Sequence, residues 1–71
     1  MFRIKIIEGL DTSDPNAISD MENKLKWWKI DNARKCSYSN VDVKFMPFTL
    51  LNGETRYIIV GVIQYDSDIE L

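Results

Sequence analysis

The sequence predicts a single α+β domain of β-α-β-β order: a three-stranded antiparallel sheet, strand order 1-3-2, with one helix packed on one face. Three observations carry that prediction. First, Val41-Asp-Val-Lys-Phe45 alternates apolar and polar residues, the period of a strand with one buried face, while Tyr57 to Tyr65 is almost continuously apolar and β-branched, the pattern of a strand buried on both. Second, Asn52-Gly53 lies between these runs, the strongest short hairpin signal, read as a type I′ turn in which both residues take positive φ. Third, Ile18, Met21, Leu25 and Trp28 recur at spacings of three, four and three, the stripe of an amphipathic helix.

Taken in chain order, Phe2, Ile4 and Ile6 alternate with Arg3 and Lys5, so the first element is a short strand with one buried face. Gly9 opens a loop through Leu10 to Asp14. Asp14-Pro15 then starts the helix: a carboxylate at the N-cap accepts from free backbone N–H groups, and proline is already fixed near helical φ. Asp20 and Glu22 lie early while Lys24, Lys26 and Lys29 lie late, which suits the helix dipole, and Asp20–Lys24 and Glu22–Lys26 are i,i+4 pairs. The helix is expected over 15–29.

Asp31-Asn32 marks its end, and the stretch from Ile30 to Asn40 reads as a loop with room for a short strand extension near Tyr38. Pro47 cannot donate to a sheet ladder, which puts Val41 to Leu50 at an edge and Thr55 to Tyr65 at the centre. The acidic tail, residues 66–71, is expected to fray. The whole chain, 1–71, is then one small domain with a thin core.

One helix covers one face only. With Ile58, Val60 and Val62 assigned to the helix side, Tyr57, Ile59, Ile63 and Tyr65 face outward, joined by Met46, Phe48 and Ile7. A contiguous apolar patch of that kind marks an interaction surface, or else a place where the 30–40 loop or the tail folds over.

Composition narrows the chemistry. The chain has no histidine, which removes the commonest general base and metal ligand. Gly9, Gly53 and Gly61 are isolated and form no phosphate loop, so neither an enzyme nor a cofactor or metal site is expected. Cys36 is the single cysteine; it sits beside Arg34 and Lys35, and nearby cations can lower a thiol pKa, but a plain buried or inert cysteine is the simpler reading. Asp66, Asp68 and Glu70 lack the turning glycine and ligand number of a calcium loop. A lone cysteine, no secretory h-region and no apolar run near 20 residues together point to a cytoplasmic protein that is not membrane-bound.

Net charge is −2, from 9 basic and 11 acidic side chains, which disfavours charge-driven nucleic-acid binding. Trp27-Trp28 leaves one question. Adjacent helical residues lie about 100° apart, so burying Trp28 carries Trp27 to the edge of the stripe. Trp27 then either packs under lysine stems, anchors a protein partner, or stacks on bases beside Lys24, Lys26, Arg34, Lys35 and Tyr38. The expected function is non-enzymatic: binding a host enzyme or another protein, or a second copy as a homodimer, through Tyr57, Ile59, Ile63 and Tyr65 or through Trp27. A self-associating structural protein and a single-stranded nucleic-acid binder are the alternatives.

The order of Arg3-Ile-Lys-Ile-Ile-Glu8, acidic helix, Val41-Asp-Val-Lys-Phe45 and the Tyr57–Tyr65 strand resembles small sporulation-associated proteins of Bacillus-type bacteria and short proteins carried by their phages. The resemblance spans most of the chain as an element pattern. It departs at Trp27-Trp28 and in the longer loop before the hairpin, brings no catalytic residues, and implies a bacterial or phage origin.

Overall fold

A computed structural model describes the backbone of all 71 residues and the side chains of all but Tyr38 and Ser39. Its elements are β1 (Phe2–Asp11), α1 (Ala17–Asn32), β2 (Tyr38–Thr49) and β3 (Thr55–Asp66). The three strands form one antiparallel sheet in the order β1-β3-β2, with α1 packed on one face against β1 and β3. The predicted fold is therefore the observed one.

Local details differ in informative ways. The helix starts two residues later than the proline signal implied, because Asp14 forms a turn and not a cap. The Asn16 N–H donates to Asp14 Oδ1 at 2.8 Å, and the Ala17 N–H to the Asp14 carbonyl at 3.1 Å. At the other end α1 continues to Asn32, whose side-chain amide donates to the Trp28 carbonyl at 2.8 Å and so satisfies one of the last free acceptors. The Asp20–Lys24 pair forms at 2.9 Å.

The hairpin forms as expected with a different turn. Asn52 keeps a negative φ and only Gly53 is positive, at 86°. The Gly53 N–H donates to the Leu50 carbonyl (2.9 Å) and the Leu50 N–H to the Glu54 carbonyl (2.8 Å). That is a type I turn closed by a glycine bulge, not type I′. The difference follows from loop length: Leu51, Asn52 and Gly53 all lie in the loop, so only the last residue must be left-handed. β2 is an edge strand, as Pro47 implied, and stays in register with β3 from Tyr38 through Pro47 to Thr49.

The tail makes hydrogen bonds to the rest of the domain. Ser67 is buried and its hydroxyl donates to the Lys35 carbonyl at 2.8 Å, while the Leu71 N–H donates to the Tyr65 hydroxyl at 2.9 Å. No helix of the described residues is long and apolar enough to cross a membrane.

Candidate binding surface

The core decides which surface is left over. Ala17, Met21 and Leu25 of α1 pack on Ile59, Ile63 and Tyr65 of β3, with Ile7, Leu10, Trp28, Cys36, Val41 and Leu71 around them. Tyr65, Met21 and Ile63 are essentially sealed from solvent, each burial stabilising by roughly 1.5–3 kcal/mol. Trp28 tilts against Tyr65, with ring centroids 5.4 Å apart, while its indole N–H is buried without an acceptor among the described residues.

The face assignment made from sequence is thereby reversed. Ile59, Ile63 and Tyr65, expected to point outward, lie beneath the helix. Cys36 of the loop and Leu71 of the tail pack on the same cluster. Tyr57 shares that side and remains about half exposed at 47%, beyond the end of the helix. The cause is visible at Gly61, which lies on the same face. A Cβ there would stand 2.8 Å from Leu25 Cδ2 and 3.0 Å from Met21 Sδ, so the helix can sit this close only over a glycine. A glycine inside a strand marks close approach of another element, and its odd position pointed to the odd-numbered face. That signal was present in the sequence.

The opposite face carries no covering element. Register places Phe2, Ile4, Ile6 and Glu8 of β1 opposite Asp66, Gln64, Val62 and Val60 of β3; on the other side Asp42, Lys44 and Met46 of β2 oppose Val62, Val60 and Ile58. Directly opposed residues share a face. Phe2 (63%), Ile4 (55%), Ile6 (58%) and Met46 (52%) are all more than half exposed. The apolar half of the first strand, expected in the core, is the half turned to solvent. Its polar half points to the helix side, where Arg3 reaches round to donate to the Ser67 and Asp68 carbonyls at 3.3 Å each. Val60 is buried even here, flanked by the stems of Glu8 and Lys44.

The other candidates are scattered. Trp27 is exposed on the outer side of α1, across the molecule from the open sheet face, with Lys26 Nζ 6.0 Å from its ring centroid. Lys24 is engaged by Asp20 and donates to the Glu8 carbonyl at 3.2 Å. Arg34 and Lys35 line a recess of about 290 Å3 together with Cys36, Ser37, Asp66, Ser67 and Asp68, so two cations share it with two carboxylates. Tyr38 lies outside the described side chains. These residues do not form one basic strip.

A second, smaller apolar area lies on the helix side. β2 extends past α1, leaving Phe45 exposed beside Ile18 at a groove of about 360 Å3 that also includes Pro15, Ala17 and Ile59. Ile18, predicted in the buried stripe, is 64% exposed at this margin. Comparison with protein-family models, with curated proteins and with solved structures finds no match to this chain.

Proposed function

We propose that this chain works by binding a protein, with the open sheet face as its docking surface and no catalytic step of its own. One observation carries the reading: Phe2, Ile4, Ile6 and Met46 stand more than half exposed on one face. An exposed apolar row such as Phe2, Ile4 and Ile6, with Met46 further along the same uncovered face, marks an interaction site. The absence of histidine from the sequence and the mixed charges of the recess at Arg34 and Asp66 support binding over catalysis. A modulator of a bacterial or phage-host enzyme in the cytoplasm fits this reading, and the setting rests on the element-pattern resemblance alone. A structural self-associating protein would use the same face. Binding of single-stranded nucleic acid through Trp27 has less support, because Lys24 is engaged by Asp20 and carboxylates flank Arg34 and Lys35.

The test is capture from a bacterial lysate by tagged protein, with and without nuclease, beside an Ile4→Asp/Ile6→Asp variant. A nuclease-resistant partner lost in the variant supports the reading. A partner retained by the variant, or recovery of nucleic acid alone with loss on Trp27→Ala, contradicts it.

A further inference from the structure

We infer that the outer edge of β1, which borders the open face, takes an extended segment of a partner protein as a fourth strand, one whose apolar side chains alternate with carboxylates. The segment adds antiparallel, the more stable pairing. The inference rests on the binding role proposed for the open face and names the chemistry of the partner.

Backbone direction is the first argument. In an antiparallel ladder, residues that exchange hydrogen bonds with one neighbouring strand alternate with residues whose N–H and C=O point the other way. The Ser67 N–H donates to the Met1 carbonyl at 3.1 Å, one step beyond the Phe2–Asp66 pair, so Arg3, Lys5 and Ile7 continue that bonded set. Phe2, Ile4 and Ile6 therefore turn their N–H and C=O groups outward, as does Glu8, whose carbonyl accepts from Lys24 Nζ at 3.2 Å. On β2 the Leu50 N–H, bonded to the Glu54 carbonyl, fixes the same count and turns Val43 and Pro47 outward. That edge is guarded: Pro47 has no N–H, and the Val43 N–H donates to Asp42 Oδ1 at 2.9 Å. Nothing among the described residues guards β1 at Phe2, Ile4 and Ile6. An open row of that kind accepts an added strand.

Side-chain chemistry is the second argument, and it selects the segment. Directly opposed residues share a face, so those opposite Phe2, Ile4 and Ile6, all more than half exposed, extend the apolar row. Those opposite Arg3 and Lys5 meet two cations on the helix side. Arg3 donates to the neutral carbonyls of Ser67 and Asp68, and neither Arg3 nor Lys5 has an ion-pair partner among the described residues. Lys24, by contrast, is already matched by Asp20. Carboxylates at alternate positions answer the open charge. A second β1 does not. Antiparallel pairing of Ile4 with Ile4 sets Arg3 against Lys5, and pairing of Ile4 with Ile6 sets Lys5 against Lys5, like charges directly opposed.

The experiment is residue-resolved amide hydrogen exchange with short synthetic peptides: alternating Glu and Val, alternating Lys and Val, and the Glu–Val peptide N-methylated at every Val. Changing the peptide leaves the folding of the protein untouched. In the free protein the Ile4 and Ile6 amides should exchange fast, and those of Lys5 and Ile7 slowly. The Glu–Val peptide, at about ten times its Kd, should slow Ile4 and Ile6 about tenfold and leave Lys5 and Ile7 unchanged. The Lys–Val peptide should bind a few-fold more weakly, and the N-methylated one should give no protection. Lys5→Glu should narrow the preference for Glu over Lys. Unprotected Ile4 and Ile6 with every peptide, equal binding of the Glu and Lys peptides, or full binding of the N-methylated one overturns the inference. So does protection that rises with protein concentration alone, which gives the edge to a second copy. Lysate capture lost on Ile4→Asp/Ile6→Asp would, in each of those cases, keep the binding role of the open face while removing the added strand.

Discussion

Val62 and Ile63 are neighbours in the chain and lie on opposite faces of the same sheet. Ile63 is sealed beneath α1, whereas Val62 looks out beside Ile4 and Ile6, both more than half exposed. The two faces are similarly apolar along β3, so β3 alone does not explain why one is core. The difference comes from what the strand offers a helix. The odd face offers Gly61, over which α1 sits; the even face carries the β-branched Ile58, Val60 and Val62 and has no such gap. Folding covers one face and leaves the other, with Phe2, Ile4 and Ile6, open to solvent.

Ile63→Ala should cost the protomer about 3 kcal/mol by emptying a core site, whereas Ile4→Ala should stay within about 0.5 kcal/mol. Urea unfolding of dilute protein reads both, and equal losses would mean the open face is also core. Next, Gly61→Ala should cost about 1–3 kcal/mol by overpacking against Leu25 and Met21. Combined with Leu25→Ala it should cost less than the sum of the two, since the smaller side chain makes room. An additive pair would mean that α1 does not sit over Gly61.

The element order was legible in the sequence because each element carried its own period: two in β1 and β2, 3.6 in α1, and a glycine-bearing turn between the hairpin strands. Even Pro47 correctly marked β2 as an edge. Which way the sheet faces was harder to read, for a physical reason. Alternation shows that one side of a strand is apolar, not that this side is covered by the same chain. In β1 it is the solvent-facing side that carries Phe2, Ile4 and Ile6. Arg3 and Lys5 tolerate the helix side because they lie in an edge strand, where long stems escape to water. In the tail the charges suggest solvent, while Ser67 and Leu71 make hydrogen bonds to the body of the domain, contacts that charge patterning does not reveal.

Smaller effects sharpen the account of the ends of the sheet. Gly53→Ala should cost about 1 kcal/mol, since a side chain is strained at its φ of 86°. A neutral result would argue for a different turn. Smallest is a pH effect at Asp11. The Ser13 N–H, at 2.9 Å from Oδ1, holds its carboxyl below the ordinary value of 3.8, with Arg56 as a weaker contributor. A lowered folded-state pKa stabilises the ionised turn above the unfolded value, and this is lost as pH falls through the folded one. The Ser13 amide resonance should therefore titrate below pH 3.8 and shift little above it. A midpoint above that value would contradict the assigned hydrogen bond.

The most direct test of the two-face account is thiol labelling at positions 4 and 63, using Ile4→Cys and Ile63→Cys in a Cys36→Ser background. In dilute protein, position 4 should react almost as fast as in urea and slow when a partner is added, while position 63 stays protected throughout. Protection of position 4 in the dilute protomer, equal to that of position 63, would contradict the account, because the chain itself would then cover the face assigned to a partner.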